Sequence, residues 1–337
     1  MNIAIIGAGT MGTGIAELAA GFEHQVILVD TAIGALDRFE KLLHSSQSKK
    51  IVKGQRTEAQ AKLLRSRIDF HNRLEVVSQT DWIFEAIVED INSKKLLFKS
   101  LSSFVGDKTP ISSNTSSLSV TDLASSYKNP SRVVGVHFFN PAPEMALVEI
   151  IPGMATSENI LHEAQTLIQN WGKHSILAKD YPGFVVNRIA RPYYLEALRI
   201  VEEGIADIFE VDASMKHLGF KMGPFELMDF VGNDINYTVT DVIYRETGYD
   251  SRYRPFILQK RMVQAGWLGR KSGKGYYKYS DDGNKLIDNN KAQAKTDVAE
   301  RILCMLINEA ILALQNRTAT RDDIDMAMVL GLHYPKG

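Results

Sequence analysis

The N-terminal segment constrains the fold more than any other part of the chain. It reads as a strand, a glycine turn and a helix, "NIAIIGAGTMGTGIAELAAG", followed by a second strand, "QVILVD". Gly7, Gly9 and Gly12 form a G-x-G-x-x-G pattern, which permits a tight turn, a close approach of backbone to a pyrophosphate, and close helix–sheet packing. The N–H groups at the start of a helix predicted from Met11, with Thr10 before it, suit the same phosphates. The segment therefore predicts a dinucleotide site.

Asp30, at the end of the second strand, favours NAD over NADP as the dinucleotide. Its position suits a carboxylate that hydrogen-bonds the ribose hydroxyls, and its charge would repel a 2′-phosphate. Thr31 follows where an NADP site offers an arginine. A simple cap at the strand end is the alternative interpretation of Asp30.

The order of the remaining patterns predicts two kinds of domain. Short β-rich runs alternate with helical patterns in the first half, which predicts an α/β, Rossmann-type doubly wound and mostly parallel sheet. Strand patterns nearly vanish after Pro182, and long helical patterns at 183–204 and 226–247 predict an all-helical C-terminal domain. The predicted divisions are residues 1–180, the NAD-binding domain; 181–282, the helical domain; and 283–337, a partial second copy of the helical domain. The candidate strands are residues 2–6, 25–29, 82–88, 110–113, 132–137, 146–151 and 175–177.

The second copy is predicted from an internal repeat. "NRIARPYYLEALRIVEEGIADIFEVDASM" from Asn187 matches "ERILCMLINEAILALQNRTATRDDIDMAM" from Glu300 without a gap. Arg188 falls on Arg301 and Glu196 on Glu309. Because Glu300 stands where the first copy has Asn187, the second copy is expected to have a structural role.

Composition excludes several classes of function. With 39 basic and 40 acidic residues, the net charge is near zero, which argues against a nucleic-acid or membrane-surface binder. No apolar run is long enough for a membrane span, and no leader pattern precedes the first strand. The single cysteine, Cys304, fits a reducing compartment, and no metal-binding Cys/His spacing occurs. Cytoplasmic residence without a metal is the expectation.

The stretch "GVHFFNPAPEMALVEI" contains a histidine and a carboxylate in apolar surroundings. A buried carboxylate is costly unless it is paired, so we expect Glu149 to pair with His137 if the chain doubles back after "NPAP". A neutral imidazole with a carboxylate on its far nitrogen is a suitable base for alcohol oxidation. A core histidine whose hydrogen bonds are satisfied by backbone is the alternative.

Six motifs together resemble the L-3-hydroxyacyl-CoA dehydrogenase family, in that family's order. They are "GAGTMGTGIA", "SNTSSLS", "HFFNPAPEMALVEI", "KDYPGFVVNRI", "GPFELMDFVGND" and "GRKSGKGYYKY". The resemblance implies NAD-dependent interconversion of (S)-3-hydroxyacyl-CoA and 3-oxoacyl-CoA, in beta-oxidation or butanoyl-CoA metabolism. It also implies a ligand cleft between the two kinds of domain and a homodimer through the helical domain.

The resemblance also implies roles for individual residues. His137 is similar to the general base and Glu149 to its orienting partner, while Ser116 and Asn187 are similar to residues that bind the reacting oxygen. The basic stretch 41–67 resembles a helical insertion that helps to bind coenzyme A. The implied cofactor contacts are Glu89, Lys94 and Asn114, and the implied coenzyme A contacts are Lys49 and Lys53.

Two other functions remain open at this stage. One is a dehydrogenase of a free hydroxy acid or sugar acid, against which the basic stretch and "HFFNP" argue. The other is a non-catalytic NAD-binding protein on the same fold, which the joint presence of His137, Glu149, Ser116 and Asn187 makes a poorer match.

Overall fold

The computed structural model describes residues 1–286 and 292–337. Its internal contacts divide the chain into two compact units, Met1–Asp180 and Tyr181–Gly337. Residues 287–291 of the predicted third segment, 283–337, lie outside the described part of the chain.

The first unit contains an eight-stranded sheet in the order β3-β2-β1-β4-β5-β6-β7-β8. Strands β1 to β6 run parallel, β7 pairs antiparallel with β6, and β8 runs parallel to β7. The first six strands have the order of a doubly wound dinucleotide-binding sheet, and the order reverses between β1 and β4. The strands are β1 (Asn2–Ile6), β2 (Gln25–Val29), β3 (Ile68–His71), β4 (Trp82–Glu85), β5 (Ile111–Ser113), β6 (Val133–Phe138), β7 (Leu147–Pro152) and β8 (His174–Leu177).

Apolar strands explain why this sheet lies in the core. The strand β1 is buried from Ile3 to Ile6, and β6 is buried along its whole length, as expected of strands covered on both faces. The helices of this unit are α1 (Thr10–Gly21), α2 (Ala35–Val52), α3 (Glu58–Ser66), α4 (Ile91–Leu101), α5 (Val120–Ala124) and α6 (Glu158–Asn170).

The second unit is helical, with isolated β-bridges between residues 269 and 285. Its helices are α7 (Val186–Ile189), α8 (Arg191–Glu202), α9 (Ile208–His217), α10 (Pro224–Val231), α11 (Asn233–Glu246), α12 (Ile257–Gln264), α13 (Thr296–Gln315) and α14 (Arg321–Met326). A separate core cluster surrounds Tyr193, Leu198 and Met215 of α8 and α9.

The predicted α/β fold class is confirmed, but two details of the element prediction are wrong. The edge strand β3 was not predicted, because "IDFH" offers only four residues between polar segments. The two long helical patterns are each interrupted. Gly232, with φ of 107°, separates α10 from α11, and Pro192 lies in the first turn of α8, which begins at Arg191 close after α7. Periodicity alone does not reveal such breaks, because the apolar face continues through them.

The two copies of the repeat exchange ion pairs reciprocally. Arg188 of the first copy donates to Glu309 of the second at 2.7 Å, and Arg301 of the second donates to Glu196 of the first at 2.6 Å. These four residues occupy two pairs of equivalent positions, so each copy presents the same surface to the other. This is the contact pattern of a two-fold symmetric interface, here formed within one chain between α13 and the pair α7 and α8.

A π-helical turn, Ala327–Gly331, follows α14 and accommodates one additional residue in the second copy. Beyond it, His333 adopts a positive φ of 55°, as Gly219 does at 94° in the first copy. The residues that follow, Phe220 and Tyr334, are aromatic, and the centroids of their rings are 4.8 Å apart. The two copies therefore regain equivalent backbone positions after a local insertion.

Candidate functional site

The glycine loop has the geometry that a dinucleotide requires. Gly7 has φ of 105°, and a Cβ there would come within 2.5 Å of the Ala86 carbonyl oxygen. A Cβ at Gly12 would come within 1.8 Å of the Gly7 oxygen, so both positions demand glycine. A Cβ at Gly9 would meet no atom within 4 Å, which leaves this position open for a ligand.

The first turn of α1 offers unneutralised N–H groups beside this loop. Gly9 is the N-cap without a side-chain hydrogen bond, and no acidic residue lies in the first turn, which begins at Thr10 and Met11. The positive end of the helix dipole therefore faces the loop without a carboxylate in the turn itself. A pyrophosphate fits this arrangement.

Asp30 connects the end of β2 to the glycine loop. One carboxylate oxygen accepts a hydrogen bond from Ala8 N at 2.8 Å, and the other accepts one from Ala32 N at 2.9 Å. Arg38 Nη2 donates a third, longer bond at 3.4 Å. Because a carboxylate has about four acceptor sites, Asp30 keeps capacity for a ribose hydroxyl. The capping interpretation and the ribose interpretation are therefore compatible.

His137 and Glu149 lie opposite each other on the antiparallel strands β6 and β7. The distance from His137 Nδ1 to Glu149 Oε2 is 2.7 Å, with the histidine side chain 7% exposed and the glutamate 0% exposed. Directly opposed residues of antiparallel strands project from the same face, which explains how a separation of twelve residues brings the two side chains together. The carboxylate selects the tautomer with the proton on Nδ1, so Nε2 is the basic nitrogen of the neutral ring.

A buried polar network lies at the carboxyl ends of β4 and β5. Lys94 is almost fully buried, and its Nζ contacts Glu85 at 2.7 Å and Glu89 at 3.1 Å. Ser113 Oγ donates to the second oxygen of Glu85 at 2.5 Å. The carboxyl ends of parallel strands are the ligand-binding edge of such sheets, so this network lies at the edge where a cofactor binds.

Glu89 joins this network to the "SNTSSLS" segment. Its Oε1 accepts hydrogen bonds from Ser116 N at 2.7 Å, Ser116 Oγ at 3.1 Å and Thr115 Oγ1 at 2.7 Å. Burial acts to raise the pKa of Glu89, but the Lys94 charge and these hydrogen bonds outweigh burial and hold the pKa below its ordinary value. Glu89 therefore stays an anionic acceptor that fixes the position of Ser116.

Asn114 connects β5 to the strand that carries the histidine. Its Oδ1 accepts a hydrogen bond from Phe138 N at 2.8 Å. The side chain thus holds the residue next to His137 at the end of β6. No pattern in the sequence indicates this bond.

The remaining candidate residues have separate positions. Asn187 lies on α7 in the second unit, where its carbonyl oxygen accepts a hydrogen bond from Arg191 Nε at 2.9 Å. Lys49 and Lys53 are exposed at the C-terminal end of α2. The neighbouring cations Lys50 and Arg56 instead form ion pairs with the buried Glu17 of α1.

Lys173 is a residue of this site that the sequence did not reveal. Its Nζ donates to the carbonyl oxygens of Ala142, Pro143 and Met145, at 2.8, 3.0 and 2.7 Å. Burial, together with the charge of Lys50, lowers the pKa of Lys173 to about 8. The lysine fixes the connection between the His137 strand and the Glu149 strand. A lone lysine before β8 carries no sequence signal for this function.

Asp180 is a second such residue. Its carboxylate accepts hydrogen bonds from the N-terminus of α5, at Val120 N and Thr121 N, and from Ser119 Oγ. Two of the sequence motifs, "SNTSSLS" and "KDYPGFVVNRI", are thereby connected through a helix cap.

Among the described residues, no group of three or more histidine, cysteine, aspartate or glutamate side chains is arranged to hold a metal ion. Within the same described ranges, none of the helices combines the length and apolar character that a membrane span requires. The site therefore consists of a glycine loop, a histidine–carboxylate pair and a buried polar network.

Family models match the sheet domain and the first helical copy. Residues 2–181 match the model "3-hydroxyacyl-CoA dehydrogenase, NAD binding domain", and residues 183–279 match "3-hydroxyacyl-CoA dehydrogenase, C-terminal domain". These two matches meet near the division between the compact units.

Individual relatives agree with the family models. The chain is 32% identical to 3-hydroxyadipyl-CoA dehydrogenase of Escherichia coli K12, with 100% of this chain and 89% of that enzyme covered. It is 40% identical to a probable 3-hydroxybutyryl-CoA dehydrogenase of Bacillus subtilis, with 83% of this chain and 98% of that protein covered. A crystal structure of 3-hydroxybutyryl-CoA dehydrogenase from Escherichia coli K12 superposes with a TM-score of 0.91 at 31% identity. The superposition covers 100% of this chain and 90% of that one.

Proposed function

The chain belongs to the 3-hydroxyacyl-CoA dehydrogenase family and is an NAD-dependent oxidoreductase that interconverts 3-hydroxyacyl-CoA and 3-oxoacyl-CoA, and from this premise we propose that His137 and Glu149 are its acid–base pair. The observation that carries the proposal is the 2.7 Å contact between the two buried side chains. A buried carboxylate beside Nδ1 stabilises the imidazolium that forms when Nε2 takes a proton.

In the oxidation direction, His137 removes the proton from the C3 hydroxyl of an (S)-3-hydroxyacyl-CoA. Bound NAD supplies the acceptor for the C3 hydride. In the reduction direction the imidazolium returns the proton to the carbonyl oxygen. Glu149 holds the ring in one orientation through both directions.

Ser116 and Asn187 are proposed to hydrogen-bond the reacting oxygen. Donors aimed at a carbonyl oxygen stabilise the charge that develops on it during reduction. Glu89 supports this role by holding the Ser116 backbone N–H at 2.7 Å, and the single hydroxyl proton, which Ser116 Oγ donates to Glu89 at 3.1 Å, must turn to the reacting oxygen. For Asn187 the support is its position in the "GFVVNR" motif.

The cofactor contacts are proposed at the glycine loop, at Asp30 and at the network of Glu89, Lys94 and Asn114. Lys49 and Lys53 are proposed to contact the phosphates of coenzyme A, which two exposed cations on one helix end suit. A homodimer through the helical domain and cytoplasmic residence also remain proposals.

The direct test follows NADH absorbance with acetoacetyl-CoA and with longer 3-oxoacyl-CoA substrates. We expect NADH loss that depends on the thioester, and a much lower rate with free acetoacetate at the same concentration. Equal rates on the free acid would indicate a hydroxy-acid dehydrogenase. NADH binding without any turnover would indicate a non-catalytic protein.

Replacing Glu149 with glutamine is expected to slow turnover by about 10–100-fold, because a hydrogen bond to a charged group contributes about 1.5–3 kcal/mol. The amide keeps a hydrogen bond to His137 but removes the charge that stabilises the imidazolium. The measurement is kcat with acetoacetyl-CoA, and Glu144→Gln, in the loop between the strands, is the control. A wild-type kcat in Glu149→Gln would rule out the charge effect.

A further inference from the structure

The cluster of charges at the carboxyl ends of β4 and β5 contains more acid than base. Lys94 Nζ contacts Glu85 at 2.7 Å and Glu89 at 3.1 Å, so two carboxylates share one ammonium group. In the part of the chain that the structure describes, neither carboxylate forms an ion pair with any other cation. The three side chains together therefore carry one excess negative charge.

Glu85 keeps its share of this charge away from water. Its side chain is 0% exposed, whereas that of Glu89 is 34% exposed. Glu85 accepts hydrogen bonds from Lys94 Nζ, from Ile87 N at 2.8 Å and from Ser113 Oγ at 2.5 Å, which is the role of an ionised carboxylate. Salt screens a buried charge much less than a surface charge, so the field of Glu85 reaches the neighbouring crevice.

The same carboxylate connects the charge cluster to the glycine loop. Ile87, whose N–H Glu85 accepts, lies in the turn after β4. This turn packs against Gly7, where a Cβ would come within 2.5 Å of Ala86 O and 3.0 Å of Ile87 N. The cluster therefore adjoins the loop that suits the pyrophosphate of a dinucleotide.

The strand order indicates which half of the dinucleotide lies on the side of the cluster. A doubly wound sheet binds the two halves on either side of the point where its strand order reverses, here between β1 and β4. The proposed ribose contact at Asp30, after β2, assigns the adenosine half to the side of β1, β2 and β3. The nicotinamide half then belongs on the side of β4, β5 and β6, which carries the charge cluster and His137.

The charge of the nicotinamide ring depends on its oxidation state. The ring carries one positive charge in oxidised NAD and none in NADH, because reduction adds a hydride to it. A fixed negative charge in the same crevice therefore stabilises the bound oxidised form relative to the bound reduced form. Charged protein groups near a cofactor ring are a general means of tuning its electronic properties.

We propose that Glu85 shifts the preference of the cofactor site toward oxidised NAD through this excess negative charge. Glu85 acts through its field and through Lys94, and it is not a catalytic residue. The inference rests on the proposed cofactor contacts at Glu89, Lys94 and Asn114. It does not require the assignment of the acid–base pair.

The test measures dissociation constants of the intact protein for NADH, oxidised NAD and ADP-ribose, by NADH fluorescence and by displacement of NADH. Glu85→Gln keeps the size of the side chain and removes its charge. We expect the ratio of the NAD constant to the NADH constant to rise at least about threefold, because a buried unit charge is lost from the crevice. The constant for ADP-ribose, which lacks the nicotinamide ring, should not rise.

Glu75→Gln is the matched control, since Glu75 is an exposed glutamate of the same unit, shortly before β4. It should leave the ratio unchanged. A smaller rise in Glu85→Gln with ADP-ribose binding retained would overturn the proposal, as would an equal rise in Glu75→Gln.

Glu89→Gln separates this inference from the proposed cofactor contacts. Unchanged affinities of Glu89→Gln for both dinucleotides would contradict the contacts themselves. Changed affinities there, with an unchanged ratio in Glu85→Gln, would overturn the charge effect alone. If Glu85→Gln weakens ADP-ribose binding, the ratio in Glu89→Gln decides instead, because that substitution removes the other carboxylate charge: a rise supports the proposal and no rise overturns it.

Discussion

Replacing His137 with glutamine is expected to lower kcat with acetoacetyl-CoA by roughly 10²–10⁴-fold, the usual effect of removing a general acid–base group. Glutamine can still donate a hydrogen bond to Glu149, so the buried carboxylate keeps a partner and the fold is retained. Affinity for NADH should stay close to that of the wild type, because the glycine loop and Asp30 are unchanged. Stopped-flow reduction and a fluorescence titration of NADH measure the two quantities.

His217→Gln is the control for this substitution, since His217 is an exposed histidine at the end of α9. It should leave kcat unchanged. A kcat for His137→Gln within threefold of the wild type would remove the imidazole from the reaction. A parallel loss of NADH affinity would show that the substitution disturbs the cofactor site instead.

Replacing Glu309 with leucine is expected to destabilise the helical unit by about 3–5 kcal/mol, because it leaves a buried cation without its counter-charge. Its partner Arg188 has no exposed side-chain surface, so water cannot replace the lost carboxylate. Thr318 Oγ1 and the Tyr181 ring would be the remaining contacts. Urea unfolding and hydrogen exchange in α8 and α13 report the loss.

The repeat supplies a matched control at the equivalent position. Glu196→Leu removes one of two carboxylates that pair with Arg301. This arginine is 33% exposed, can be hydrated, and keeps Glu203 at 2.8 Å. The expected loss there is up to ~1 kcal/mol, as for an accessible ion pair. Equal effects of the two substitutions would show that burial does not decide the cost of breaking these bridges.

The sequence predicts the pairing of His137 with Glu149 and the glycine loop because both depend on residues close together in the chain. Two short apolar strands joined by "NPAP" are expected to pair as antiparallel neighbours, and the observed register sets His137 opposite Glu149. The glycine loop was equally readable, since Gly7 and Gly12 are required by contacts within a single strand–turn–helix unit.

Contacts between residues distant in the sequence could not be read in this way. Lys50 and Arg56 belong to a basic stretch that resembles a solvated face, yet both turn toward Glu17, more than thirty residues earlier. Lys173 likewise donates a hydrogen bond to a loop nearly thirty residues before it. A polar composition predicts that a segment is exposed. Which of its several cations forms an ion pair with a buried acid depends on the tertiary fold.

The exchanged bridges between the two helical copies have an evolutionary consequence. Each arginine pairs with an acid in the other copy, so the two copies cannot diverge independently at these positions. A substitution of Arg188 leaves Glu309 without this cation, and a substitution of Glu196 removes a carboxylate from Arg301. Compensating substitutions should therefore appear across the pair rather than within one copy. A second copy transplanted from a distant homologue would be accepted only if it brought both complementary charges with it.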